Sequence, residues 1–148
     1  MHSFTGGEKD GSGPVSSLLR VGNRFYGTTG NGGRYGKGTV FSIAQAGSDF
    51  TLLYSFKGQK DGSGSAAGLS DAGGTLYGTT YYGGVSNSGS VFQLAPDGTE
   101  TVLHSFTMAE DGAYPYAGLI RDKQGNLYGT AEAGGEPRLG VVFKISSQ

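Results

Sequence analysis

The chain has 148 residues, including 30 glycines, four prolines and no cysteine, and its formal net charge is −1. This length suffices for one domain with a buried core, and the glycines follow no collagen-like Gly-X-Y period, while 11% aromatic residues are atypical of disorder. The absence of cysteine excludes disulfides and thiolate metal sites. Because there is neither a basic patch nor a long apolar run, nucleic acid and membranes are not expected partners.

Three copies of one pattern follow one another along the chain. Each copy contains, in the same order, a Ser-Phe pair, an Asp-Gly pair, a Tyr-Gly step, a Gly-Gly pair and a Val-Phe pair. The aromatic anchors are Phe4, Tyr26 and Phe41, then Phe56, Tyr77 and Phe92, then Phe106, Tyr128 and Phe143. We expect these anchors to be structural, with the tyrosines packed between adjacent sheets. The tyrosines recur every 51 residues, a period within the range of propeller blades.

Each copy is predicted to form four short strands separated by turn residues. In the second copy these are residues 67–70, 75–80, 90–94 and 101–106. The connections at 71–74 and 95–98 are rich in Gly, Pro and Asp, as tight hairpins require, and the other connections are longer. No segment has a convincing helical period. The sequence therefore predicts an all-β protein.

Two all-β folds are built from four-stranded units of this kind. A monomeric β-trefoil takes three units, whereas a β-propeller needs more than three blades to close. The phase of the repeat favours the propeller, because the third copy reaches its third strand at 142–146 and residues 2–4 align with the end of a fourth strand at 104–106. We expect one repeat domain, 1–148, with blade units of approximately 5–56, 57–106 and 107–148, the last completed by strand 1–4.

Three blades cannot close a ring. An open arc would leave two apolar blade faces in water, a larger patch than soluble monomers tolerate. Copies that join head to tail cover both faces through a heterologous interface, which must close as a cyclic ring or grow without limit. The expected partner is therefore another copy of the chain, in a homodimer with six blades or a homotrimer with nine.

A ligand site is expected on the face that carries the long connections. The loops after the second and fourth strands leave the sheets at the same end, and such loops on a rigid scaffold are where binding residues usually lie. The candidate ligand-binding side chains are Asn31, Tyr35, Tyr81, Tyr82, Asn87 and Tyr114. Tyrosine rings and amides of this kind can stack on, and hydrogen-bond with, a sugar. The competing interpretation is a purely structural ring with no ligand.

Catalysis finds little support in the sequence. It contains no Gly-x-Ser-x-Gly, HExxH or phosphate-loop motif, and neither histidine has partners at metal-ligand spacing. The aspartate of an Asp-Gly pair such as Asp61 is expected to cap a turn rather than to bind calcium. A glycoside hydrolase that uses Glu110 and Asp111 is the third and weakest hypothesis. We expect no enzyme activity, catalytic residue, metal or cofactor.

The string Gly-Asn-Leu-Tyr-Gly-Thr at 125–130, followed by Gly-Gly and by Val-Phe-Lys-Ile at 142–145, resembles the GloVer tandem repeat family. The resemblance covers nearly the whole chain, and the first copy departs most from the pattern. It implies a propeller-like fold and a bacterial parent protein that is secreted or at the cell surface, and it carries no catalytic residues. GloVer proteins tend to carry many repeats, which favours the homotrimer over the homodimer.

Overall fold

The computed structural model describes residues 1–147, which form β-strands joined by turns and loops. The strands are β1 (Gly11–Ser12), β2 (Leu19–Val21), β3 (Arg24–Thr29), β4 (Asn31–Gly32), β5 (Thr39–Ala44), β6 (Thr51–Ser55), β7 (Ser70–Ala72), β8 (Thr75–Thr80), β9 (Ser90–Leu94), β10 (Glu100–Ser105), β11 (Ile120–Arg121), β12 (Leu127–Ala131) and β13 (Val141–Ile145). Within residues 1–147, no helix is long and apolar enough to cross a bilayer. The chain is all-β, as its sequence predicts.

The strands form three antiparallel sheets and a small ribbon. Sheet I has the order β2-β3-β5-β6, sheet II the order β7-β8-β9-β10, and sheet III the order β11-β12-β13. The ribbon pairs β1 with β4, and bridges from Ser63 to Tyr82 and from Ala113 to Ala133 make the same contact in the other copies. This ribbon, which the sequence analysis did not predict, ties each incoming connection to the loop after the second strand of the sheet.

The predicted first strand of the second copy, residues 67–70, is misplaced. The observed strand is β7, and its Ala72 pairs with Thr75, so that the hairpin turn contains only Gly73 and Gly74. These glycines have φ angles of 63° and 91°, and two consecutive positive φ angles match the twist of a two-residue hairpin. Asp71, predicted as a turn residue, therefore pairs within the strand. The other three predicted strands agree with β8, β9 and β10 to within one residue.

The glycine of each Tyr-Gly step has no side chain, which leaves room for the phenylalanine ring that packs on this part of the strand. A Cβ atom on Gly78 would lie 2.7 Å from Cζ of Phe92 and 2.9 Å from Cδ2 of Leu69. The equivalent glycines of the other two copies meet the equivalent phenylalanine and leucine. Glycine within a strand commonly marks such a close approach. The repeated Tyr-Gly step is therefore a packing requirement.

Two buried clusters lie between consecutive sheets. The cluster between sheets I and II contains Val40, Phe56, Leu69, Leu76, Phe92 and Leu94. The cluster between sheets II and III contains Val91, Phe106, Leu119, Leu127 and Ala131. Tyr26 packs against the first cluster and Tyr77 against the second. Two of the three repeat tyrosines thus lie between sheets, whereas Tyr128 of sheet III belongs to neither cluster and its hydroxyl donates to Oδ2 of Asp122 at 3.0 Å.

One aromatic contact recurs at the start of each copy. Phe56 meets Phe92 edge-on with ring centroids 5.1 Å apart, and Phe106 meets the phenylalanine of β13 at 5.0 Å. Phe4 meets Phe41 in the same way at 5.1 Å. Residues 1–4 belong to no strand, yet Phe4 lies where the end of a preceding fourth strand would place it.

The aspartates of the Asp-Gly pairs hold the connections between copies. Asp61 accepts hydrogen bonds from the hydroxyl of Tyr54 and the backbone N–H of Lys57, both at 2.9 Å. At the equivalent Asp10, burial acts to raise the pKa, but hydrogen bonds with His2 and with neighbouring residues lower it to about 2. The predicted turn-capping role is confirmed. The position shared by Tyr54 and His2 supplies a hydrogen-bonding partner to this aspartate.

The first and the last of the three sheets each have one outer face that no other sheet covers. Apolar side chains are exposed there at repeat positions that are buried between the sheets. Leu18, next to sheet I, is 54% exposed, whereas its equivalents Leu69 and Leu119 are 8% and 6% exposed. Val142 of sheet III is 80% exposed, whereas the equivalent Val40 is 0% exposed. Sheet III also has three strands where the others have four, so β13 is an edge strand within the described residues. Both ends therefore have the composition of an internal interface.

Candidate ligand-binding site

Four tyrosines meet on the face formed by the loops after the second and fourth strands, here called the long-loop face. The ring of Tyr81 stacks on Tyr114, with centroids 5.2 Å apart and planes 24° apart. It also meets Tyr82 and Tyr116 edge-on at 4.6 and 5.8 Å. The hydroxyl of Tyr81 donates to Oε1 of Glu132, and this hydrogen bond raises the pKa of the tyrosine to about 12. The central ring is therefore fixed both by stacking and by its hydroxyl.

A cavity of about 350 Å³ opens beside this tyrosine cluster. Its aromatic wall and its polar lining are formed by Tyr81, Tyr82, Tyr116, Asn31, Lys37 and Ser63. Tyr82 and Tyr116 are 48% and 59% exposed, so solvent and small molecules have access to their rings. The volume lies at the small end of the ~300–1,000 Å³ range of ligand sites. We call this cavity the tyrosine pocket.

The structure brings together four of the six side chains predicted to bind a ligand. Asn31, Tyr81 and Tyr82 line the tyrosine pocket. Tyr114 lies beside it, as the stacking partner of Tyr81.

The remaining two predicted residues lie elsewhere on the long-loop face. Asn87 is a turn residue with a φ angle of 54°, and its side-chain oxygen accepts a hydrogen bond from the N–H of Gly83 at 3.0 Å. Tyr35 is 46% exposed, and the guanidinium carbon of Arg34 lies 5.8 Å from its ring centroid. Neither residue lines the tyrosine pocket.

Sequence reasoning missed Tyr116, Lys37 and Glu132. Tyr116 stands five residues after an Asp-Gly aspartate, where the other copies have Val15 and Ala66. An aromatic residue that departs from the repeat was therefore visible in the sequence. Lys37 carries no comparable signal, because only the folded chain places its loop beside the second copy.

A second cluster of titratable residues lies between sheets I and II. Tyr54, Lys57, Asp61 and Glu100 line a cavity of about 250 Å³. Burial, followed by repulsion from the carboxylate of Asp61, raises the pKa of Glu100 to about 7. One side-chain oxygen of each acid is buried without a hydrogen-bond partner among the described residues. Residues 1–147 contain no group of three or more His, Cys, Asp or Glu side chains arranged to hold a metal ion.

The repeat also assigns the chain to a family. The profile of the Gloeobacter/Verrucomicrobia repeat matches residues 1–148. The chain belongs to this repeat family. The GloVer resemblance seen in the sequence is thereby confirmed, and the aromatic anchors of the three copies are parts of a GloVer repeat.

Among curated proteins, none matches the sequence of this GloVer chain. Among solved structures, it is similar to a chain in the crystal structure of a nidogen/laminin complex, with a TM-score of 0.51 and 17% sequence identity. The similarity covers 83% of this chain and 39% of the other, so the GloVer chain spans about two fifths of that chain's length. At this level of identity the similarity concerns the fold alone.

Proposed function

We propose that this GloVer chain is a three-bladed segment of a β-propeller, and that copies join head to tail into a closed ring that serves as a binding scaffold. Sheets I, II and III would be consecutive blades. The observation that carries the proposal is the exposure of Leu18 at one end and Val142 at the other, at repeat positions that are buried between sheets. Apolar faces of this kind mark interaction surfaces.

The internal interfaces are a template for the contact between copies. Thr28 and Thr79 are each 1% exposed. They donate hydrogen bonds to the carbonyl groups of Ala67 and Ala117 in the next sheet, at 3.1 and 3.4 Å. Thr130, the third member of this series, is exposed. In the ring, Thr130 would donate to the equivalent carbonyl of the next copy, that of residue 16, and become buried.

Residues 1–4 would complete the third blade of the neighbouring copy. Phe4 already packs on Phe41 in the same way as Phe56 packs on Phe92. Residues 2 and 3 therefore lie near the path that a fourth strand of the neighbour's third blade would follow. Their pairing partner would be β13 of the neighbour. Strand addition of this kind also removes an exposed sheet edge, which otherwise promotes aggregation.

The proposed size of the ring rests on the family, and the proposal of a non-catalytic scaffold rests on the environment of one carboxylate. We favour a cyclic homotrimer with nine blades over a homodimer with six, because GloVer proteins tend to carry many repeats. In sheets I and II, four strands in chain order form one antiparallel sheet, which supports blades rather than a trefoil. A hydrolase is not proposed, since the carboxylate of Asp111 already accepts hydrogen bonds from Thr107 and contacts His104. A secreted or cell-surface location remains the proposal for the parent protein.

A pair of charge substitutions tests the head-to-tail interface. Val142→Asp and Leu18→Asp each place a carboxylate on one outer face, at a side chain that is already exposed in the single chain. Each variant should therefore keep its circular dichroism spectrum but lose the mass of the ring in light scattering. Val85→Asp, at a 79% exposed loop residue on neither outer face, should keep that mass.

Mixing the two variants distinguishes this interface from a symmetric one. Val142→Asp retains an intact sheet I face and Leu18→Asp retains an intact sheet III face, so a heterologous contact predicts a complex of two chains that cannot grow further. Deletion of residues 1–5 should also dissociate or aggregate the ring. If both variants keep the wild-type mass, or if their mixture forms no complex, the proposed interface is wrong.

A further inference from the structure

The four tyrosines of the cluster occupy positions at which the repeat does not require an aromatic residue. Tyr81 and Tyr82 align with Gly30 and Asn31 in the first copy, and with Glu132 and Ala133 in the third. Tyr114 and Tyr116 follow the aspartate of their copy by three and five residues, where the other copies have Gly13, Val15, Gly64 and Ala66. The tyrosines are therefore not part of the repeated core, although the fold brings all four together.

Tyr114 adopts an unfavourable backbone conformation. Its φ angle is 58°, and the equivalent residues are Gly13 and Gly64, with φ angles of 67° and 65°. Glycine adopts this left-handed region without steric cost, whereas a bulky side chain rarely does. Strain of this kind is concentrated at functional sites. The third copy thus has a tyrosine at a position where glycine would suffice for the fold. That tyrosine stacks on the ring of Tyr81.

The side chains at the tyrosine pocket have complementary chemistry. Tyr82 and Tyr116 offer exposed aromatic faces, and Asn31, Lys37 and Ser63 add an amide, an ammonium and a hydroxyl group to the lining. Together they combine flat apolar surface with several hydrogen-bond donors and acceptors. A pyranose ring has the matching surface, because its C–H face is apolar and its edge carries hydroxyl groups. A volume of about 350 Å³ suits one sugar unit rather than a long chain.

We propose that the tyrosine pocket binds a sugar residue of an oligosaccharide. The sugar ring stacks on Tyr82 and Tyr116, while Asn31, Lys37 and Ser63 hydrogen-bond with its hydroxyl groups. Tyr81 and Tyr114 are positioning residues that fix the aromatic wall from behind. All lining residues belong to one chain, and Leu18 and Val142 are not among them, so this site goes beyond the proposed ring and does not depend on it.

The test begins with the wild-type protein on a panel of neutral and uronic oligosaccharides. A bound member of the panel is then titrated in solution, with tyrosine fluorescence as the readout, since the chain has nine tyrosines and no tryptophan. Tyr82→Ala and Tyr116→Ala should each weaken binding about fivefold or more, by analogy with the loss of one aromatic ring stacked on a nucleic-acid base. The matched control is Tyr35→Ala, which removes an equally exposed tyrosine outside the pocket and should leave affinity unchanged.

Tyr114→Gly separates a binding role from a structural one. It restores the residue that the other two copies have at this position, so the melting temperature should change little while sugar affinity falls. The reverse result, lost stability with unchanged affinity, would show that the tyrosine serves only the fold. No binding across the panel by the folded protein, or binding that survives both Tyr82→Ala and Tyr116→Ala, would overturn the site. Each outcome is independent of the mass of the assembly.

Discussion

At the scale of single residues, the glycines serve two different physical purposes. Gly83 and Gly84 have φ angles of 78° and 73°, so their conformation favours glycine whatever the space around them. Gly78 lies in strand β8 and has no such φ angle, but its missing side chain leaves the space that Phe92 occupies. The first kind shapes loops. The second kind sets the distance between a strand and the ring packed on it.

The steric role of Gly78 predicts a loss of stability on adding one methyl group. In Gly78→Ala the new Cβ atom would meet Phe92 at 2.7 Å and Leu69 at 2.9 Å, both within the buried core. Overpacking of this kind typically costs about 1–3 kcal/mol, to be measured by denaturant unfolding. Gly7→Ala, whose Cβ atom would have no neighbour closer than 4.0 Å, should change the free energy of unfolding little. Equal effects in the two variants would contradict the packing argument.

The raised pKa of Glu100 predicts a pH dependence of stability. Its folded-state pKa of about 7 lies above the ordinary 4.5, so between these values the folded state binds more protons than the unfolded state. The contribution of Glu100 to stability is therefore present below pH 4.5 and is lost as the pH rises through about 7. Asp61 adds to this loss and Lys57 opposes it.

Glu100→Gln isolates this effect. The variant cannot ionise, so its unfolding midpoint in urea should fall less between pH 5 and pH 8 than that of the wild type. The two proteins differ at this one residue, so the difference between their pH profiles reports on Glu100. Parallel pH profiles for the two proteins would mean that Glu100 ionises normally in the folded chain.

At the scale of elements, the sequence predicts strands best where side-chain pattern and turn signals agree. β8 and β9 were predicted at their observed bounds, because each run of strand-forming residues begins directly after a glycine, Gly74 or Gly89. β7 was misplaced, since Asp71 and Ala72 resemble turn residues and only their pairing across Gly73 and Gly74 shows otherwise. The ribbon of β1 and β4 was missed for a similar reason, because its short glycine-containing pairs look like loop sequence.

The candidate site was predicted in part, for the same kind of reason. Tyr81 and Tyr82 are aromatic residues in a long loop, a local signal that sequence alone provides. The contribution of Asn31 was predicted from the repeat, which places the loops of all copies on one face. Tyr116 departs from the repeat and was detectable in the sequence, whereas Lys37 could not be assigned without the packing of consecutive copies. The left-handed backbone of Tyr114 became visible only in the structure.

At the scale of the whole molecule, the two outer faces dominate the physics. Three sheets pack consecutively through buried apolar clusters, and the same repeat positions at the two ends remain in water. When another copy covers a face with the composition of an internal interface, apolar surface leaves water and the free energy of the system falls. Because the two ends differ, the proposed contact would be heterologous, and a closed ring would be the natural limit to growth.

Light scattering on the purified wild-type chain tests this account most directly. One chain has a mass of 15.2 kDa, so the proposed nine-bladed homotrimer should appear at about 46 kDa, three times the mass of one chain, and the mass should not change on moderate dilution. A homodimer of about 30 kDa, twice the mass of one chain, would keep the ring but replace nine blades with six. A well-folded monomer would contradict the ring and restore the β-trefoil as the alternative.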